Sequence, residues 1–125
     1  IQGSADAHNV HNISLVTPAS ENRIQMIASE ATGFLYCVSS NGVTGVRSEF
    51  RTNFAPFFEK IHKYAKVPCA VGFGISGPEA AREMSRYCDG VIVGSAVVRL
   101  VEQYGKEAPE KIGAFVKSLR DALDA

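Results

Sequence analysis

The chain lacks an excess of charge of either sign: 13 Lys and Arg face 13 Asp and Glu across 125 residues. Such a balance removes the electrostatic footprint that nucleic acid or an anionic membrane surface requires, so neither is expected as a partner. No stretch approaches 18 consecutive apolar residues, which argues against a membrane span. No leader of charged, then apolar, then small residues opens the chain. Cysteine is sparse. Cys37, Cys69 and Cys88 are odd in number and form no C-x-x-C pair, and Cys37 and Cys69 sit inside apolar runs. Buried, reduced thiols in a cytoplasmic protein are the expectation. A catalytic cysteine is disfavoured because no histidine has an evident claim to pair with one. His8 and His11 stand three apart, but no third ligand is near them and no helix is evident, so no metal site is expected. Residues 1–12 read as an irregular segment, either a loop or the cut end of a longer chain.

What the sequence does contain is a rhythm. Four short apolar runs recur: "ISLV" (Ile13–Val16), "FLYCV" (Phe34–Val38), "CAVGF" (Cys69–Phe73) and "GVIVG" (Gly90–Gly94). A helical pattern follows each. Ser20 is placed to cap a helix with Ile24, Ile27, Ala28 and Ala31 on one face, ended by Gly33. Phe54, Phe57, Phe58, Ile61, Tyr64 and Ala65 form a broad stripe at helical spacing, suited to packing on a sheet. Ser76-x-x-Glu79 resembles a capping box with Pro78 near the first helical position of a third helix, which runs to about Tyr87. "AVVRLVEQY" reads as a short helix. A last one starts at Pro109, with Ile112, Phe115, Val116, Leu119 and Leu123 on one side. Strands without in-out alternation and rich in Val, Ile and Leu suit a parallel sheet covered on both faces. The choice is then between a small open α/β sheet and a piece of a (β/α)8 barrel, since a whole barrel needs about 250 residues.

"GFGISG" has the spacing of a dinucleotide loop and the right context, after a strand and before a helix. A dinucleotide unit also needs an acid at the end of the next strand. That position holds Gly94-Ser95, and Asp89 lies at the other end. Three loops taken together give a better reading: "NGVTG" (Asn41–Gly45), "GFG" (Gly72–Gly74) and "VGSA" (Val93–Ala96). Each follows a strand, so in a parallel sheet all emerge on one side. Glycine admits a ligand close to backbone N–H groups, and Gly94-Ser95 opens a helix whose N-terminus favours an anion. Phosphate is the natural guest. The strand ends carry no acid, lysine or histidine. Glu49 and Arg47 lie in the long loop after the second strand and read as solvated charges. A binding site without a proton carrier is therefore expected.

"LYCVSSNGVTGVR", "VPCAVGFGISGPEAA" and "DGVIVGSAVVRLVE" together closely resemble the second half of the tryptophan synthase α subunit, from about Asn12 to the end. The resemblance implies a TIM (β/α)8 barrel of which residues 13–125 supply strands five to eight. It implies a lyase of tryptophan biosynthesis that cleaves indole-3-glycerol phosphate by a retro-aldol reaction into indole and glyceraldehyde 3-phosphate. It implies a β-subunit partner that owns the pyridoxal phosphate, so that no cofactor is expected in this chain. Phosphate would lie on Gly45, Gly74, Gly94 and Ser95; Tyr36, Phe73 and Ile92 would line the indole pocket; Thr44 would belong to a closing lid loop. The family's catalytic glutamate and aspartate sit after early strands that this sequence does not contain, so the chain alone is expected to lack the activity. Where the family often has an arginine before the G-V-T-G loop, Ser40 and Asn41 stand here, which leaves lid closure to Arg47, to Arg51 or to neither. Two other readings are a non-catalytic phosphate-binding half-barrel that self-associates through its raw sheet edges, and another phosphate-binding barrel enzyme.

Overall fold

The computed structural model describes residues 1–38, 54–72 and 74–125. Four parallel strands lie in the order in which the chain makes them: β1 (Ser14–Val16), β2 (Leu35–Val38), β3 (Cys69–Gly72) and β4 (Gly90–Val91). Their register aligns Leu15 with Tyr36, Tyr36 with Ala70, and Ala70 with Gly90. Doubly wound sheets reverse their strand order at a switch point. This sheet does not reverse, so successive crossovers keep stepping the same way, as in a barrel.

The consequence is visible in burial. Side chains alternate across a strand, so Leu35, Cys37, Cys69 and Val71 share one face with Val16. All five are buried, and they form one core with Ile24 and Ala28 of α2 (Ile24–Glu30), Phe57, Phe58 and Ile61 of α3 (Phe54–Tyr64), Ala81 of α4 (Pro78–Met84) and Leu119 of α6 (Ala108–Asp124). The sequence suggested cover on both faces. Only one has it: on the other, Leu15 is 56% exposed and Tyr36, Ala70 and Gly90 are half-buried. The apolar strands therefore report a face that the described residues of this chain do not cover.

Local chemistry explains the connections. Ser20 does not start the second helix. It lies within a 3₁₀ turn, Pro18–Arg23, where its Oγ accepts a 3.3 Å bond from the Thr17 N–H while its own N–H bonds the Thr17 carbonyl at 2.9 Å. Gly33 closes the helix-to-strand turn at φ +72°, a conformation that favours glycine. The aromatic stripe of α3 packs as its spacing predicts. Phe58 also stacks on Tyr87 at 5.9 Å between ring centroids, which ties α3 to the turn after α4. That helix stops at Met84 rather than Tyr87, and its N-cap is Gly77 with no side-chain cap bond. The Ser76–Glu79 capping box does not form. The helix expected over "AVVRLVEQY" is α5 (Ser95–Tyr104), and α6 begins one residue before Pro109. On α6, Val116 faces solvent at 49% exposure, unlike buried Leu119. Residues 1–12 are not wholly irregular: α1 (Gln2–Ala7) is a short helix that buries nothing, and the expectation for this segment is corrected on that point. His8 and His11 are exposed. No helix among the described residues is long and apolar enough to cross a membrane.

Candidate functional site

The carboxyl ends of β2, β3 and β4 open on one side of the sheet, and the loops that leave them enclose a cleft of about 360 Å³. Tyr36 enters it from β2. Gly74 and Ser76 come from the loop after β3, Ile92 and Gly94 from the segment after β4, and Ser95 and Arg99 from α5. Brought together are three of the four residues expected at phosphate (Gly74, Gly94, Ser95) and two of the three expected around the indole (Tyr36, Ile92). Gly45, Thr44 and Phe73 fall outside the described residues, as do the rest of the Asn41–Gly45 loop, Ser40, Arg47, Glu49 and Arg51.

Each part has a local cause. Ile92 is held by its N–H bonding the Val71 carbonyl at 2.7 Å, which extends the β3–β4 pairing to the cleft floor. Gly74 adopts φ +82°, and a Cβ there would meet nothing within 4 Å; the glycine serves backbone conformation and leaves its face of the cleft open. Gly72 answers a different need. A Cβ built on it would stand 2.8 Å from Cε1 of Tyr36 and closer still to Cζ and the hydroxyl, so the missing side chain is what lets the tyrosine ring lie across β3. Gly94 is the N-cap of α5, and its carbonyl receives the Val98 N–H at 3.1 Å. No acidic residue occupies the first turn of α5. The N–H groups and positive dipole end of that helix therefore face the cleft uncompensated.

Arg99 is the residue that sequence reasoning missed. It sits one turn beyond Ser95, four residues on, so both lie on the same side of α5. Arg99 lines the cleft and makes no ion pair among the described residues. The spacing Ser95-x-x-x-Arg99 was available as a signal once the helix was placed. Among the described residues, no carboxylate, histidine or lysine lines the cleft, and Tyr36 is the only other ionisable side chain there. The arrangement suits an anion with an aromatic or apolar appendage and supplies no strong general base.

The cysteines follow expectation in part. All three are free, Cys37 and Cys69 are buried, and Cys88 is half-buried. Burial pushes the Cys88 thiol up from its ordinary value. Cys37 is also raised, chiefly because its S–H bonds Cys69, and that bond draws Cys69 down. A histidine does approach a cysteine: ligand atoms of His62, Cys69 and Asp89 lie within 4.8 Å of one another.

Comparison with known proteins gives the architecture its context. A family model described as tryptophan synthase alpha chain matches residues 1–124. The tryptophan synthase alpha chain of Clostridium kluyveri is 44% identical over 119 residues, covering 94% of this chain and 45% of the relative. That of Bacillus subtilis is 50% identical over 103 residues, covering 82% and 39%. Among solved structures, the tryptophan synthase alpha chain of Legionella pneumophila superposes with a TM-score of 0.75 at 31% identity, covering 95% of this chain and 44% of that one. The tryptophan synthase α2β2 complex of Pyrococcus furiosus contains a chain that matches with a TM-score of 0.72 at 26% identity. The chain thus spans less than half the length of the relatives it matches, and its four βα units are one half of a (β/α)8 barrel. Sequence and fold agree: the chain belongs to the tryptophan synthase alpha chain family.

Proposed function

We propose that this chain provides the phosphate and indole pocket of a tryptophan synthase α barrel, acting in the retro-aldol cleavage of indole-3-glycerol phosphate during tryptophan biosynthesis. The observation that carries the reading is the convergence of Tyr36 and Ile92 with Gly74, Gly94 and Ser95 on one cleft. The phosphate binds at Gly94, Ser95 and the start of α5, with Gly74 forming the facing wall and Arg99 supplying the one full positive charge. The indole lies against Tyr36 and Ile92, and Phe73, Gly45 and Thr44 complete the site by family resemblance. The catalytic carboxylates and the β-subunit contact belong to the other half of the barrel. No cofactor is needed within this chain, since pyridoxal phosphate belongs to the β subunit. Family membership removes the case for an unrelated phosphate-binding barrel enzyme.

One observation favours a second reading, self-association as a binding module: the open sheet face around Leu15. Calorimetric titration of the purified chain with glyceraldehyde 3-phosphate and with indole-3-glycerol phosphate tests the first reading, alongside an indole-release assay. Both ligands are expected to bind, the latter more tightly, without indole release. Binding that ignores Ser95→Ala and Arg99→Ala would remove the assigned site, and robust indole release would show that the catalyst is in this chain after all. Light scattering after size exclusion decides self-association; a stable monomer that binds ligand excludes the module reading.

A further inference from the structure

A second group of reactive side chains lies at the opposite end of the sheet from the cleft. Cys69 starts β3, Asp89 immediately precedes β4, and His62 is in the last turn of α3. We propose that His62, Cys69 and Asp89 form a binding site for one divalent transition-metal ion of the zinc class.

One ring nitrogen, the Cys69 Sγ and one carboxylate oxygen all lie within 4.8 Å of each other. Tetrahedral zinc, with metal–ligand distances of about 2.0–2.3 Å, separates its ligands by roughly 3.5 Å. The contraction required is therefore about 1.3 Å at most. It falls on His62 and Asp89, whose residues are exposed. Cys69 is 1% exposed and forms the fixed floor. A hollow of about 450 Å³ opens beside His62 and Asp89, with Glu59 and Arg86 also on its wall.

The groups around these ligands are the ones a metal site uses to orient them. His62 Nε2 is 2.8 Å from the Tyr87 carbonyl, which can only accept; Nε2 is then the donor, and Nδ1 keeps the lone pair. Asp89 and Cys69 grip each other twice: the Cys69 N–H bonds Asp89 Oδ2 at 2.8 Å, and the Asp89 N–H bonds the Cys69 carbonyl at 2.9 Å. That leaves Oδ1 for an ion. A thiolate, a carboxylate and a neutral imidazole neutralise a dication. The mixed sulfur, nitrogen and oxygen set selects zinc or cobalt over magnesium and calcium. Three protein ligands leave the fourth position to water. Binding releases the Cys69 proton to solvent.

The test is a titration of the reduced, metal-stripped chain with Co²⁺. One equivalent is expected to produce a thiolate-to-cobalt charge-transfer band in the near ultraviolet and tetrahedral visible bands, both abolished by Zn²⁺ and untouched by excess Mg²⁺. Cys69→Ser should abolish the charge-transfer band. His62→Ala, at an exposed position of α3, should weaken binding at least tenfold, since even orienting groups around a metal contribute that much. Cys88→Ser and the double variant His8→Ala, His11→Ala should leave the titration unchanged. A folded chain, by circular dichroism, that shows no charge-transfer band overturns the proposal. So does a band that survives Cys69→Ser, vanishes with Cys88→Ser, or is indifferent to His62→Ala.

Discussion

Gly72→Ala is the substitution for which the fold makes its sharpest demand. The new methyl group would be 2.8 Å from Cε1 of Tyr36, inside the separation real side chains keep, and nearer still to Cζ and the hydroxyl. Strand geometry fixes the Cβ, so Tyr36 has to move. Overpacking of this kind typically destabilises by about 1–3 kcal/mol. Two gains oppose it: about 0.8 kcal/mol from burying a methyl, and about 0.4–1 kcal/mol from a less flexible unfolded chain. The net effect on stability is thus small, and the coupling with Tyr36 is the informative quantity. In a Tyr36→Ala background, Gly72→Ala should turn neutral or stabilising, giving an interaction energy of about 1–3 kcal/mol from a double-mutant cycle in urea. Tyr36→Phe removes only the hydroxyl and should relieve part of the penalty. Because Tyr36 lines the cleft, displacing its ring by Gly72→Ala should also weaken binding of indole-3-glycerol phosphate. Additivity within about 0.5 kcal/mol would mean that the two residues do not share space, and the account of the cleft wall would fall with it.

Gly74→Ala meets no neighbour, so its cost is backbone strain alone at φ +82°, about 1–3 kcal/mol by thermal or chemical denaturation; a neutral result would show that the loop relaxes out of the left-handed region. Arg99→Ala should leave stability within about 0.5 kcal/mol while weakening inorganic phosphate binding and flattening its dependence on salt, as titration at two ionic strengths would show. Cys88 has a folded pKa raised above the ordinary 9.0: its contribution to stability is fully present below about pH 9 and is lost as pH rises beyond it. Cys88→Ala should therefore flatten the fall in unfolding free energy between pH 8 and about pH 10 in reducing buffer; an unchanged slope would refute that burial. Ile61→Ala, at a position fully enclosed by the sheet and the helices around it, should lower the unfolding free energy by about 2–5 kcal/mol.

The helices and strands were readable because their signals are local. The Phe54–Ala65 stripe has helical spacing, and each β-strand begins within one residue of its apolar run. Capping was less legible. Ser20 and Ser76 both sit where a cap would suit the pattern, yet the cap positions of α2 and α4 fall to Arg23 and Gly77, and Ser20 belongs to a 3₁₀ turn capped by Thr17. The strand faces could not be read at all. Val, Ile and Leu on both sides of a strand announce burial without naming what covers it, and Leu15 shows that the cover need not come from the described residues. In the cleft, glycines and Ser95 stood out by type, whereas Arg99 needed the helix register before it could be aimed. The His62–Cys69–Asp89 group was invisible for a simpler reason: its members are distributed over 28 positions of sequence, from residue 62 to residue 89, and only the return of the chain to the same end of the sheet collects them.

The unreversed strand order has a kinetic corollary. Every strand pairs with its immediate predecessor, so the closures needed to build the sheet run from Ser14 to Leu35, from Leu35 to Cys69 and from Ala70 to Gly90, about 21, 34 and 20 residues, and none joins the first strand to the last. Loop-closure entropy grows as about (3/2)RT ln n, which makes the longest of these only about 0.5 kcal/mol harder than the shortest. No single pairing dominates the search. Assembly can begin at any neighbouring pair and spread outward, each docked βα unit offering a template to the next, in the manner of repeat proteins.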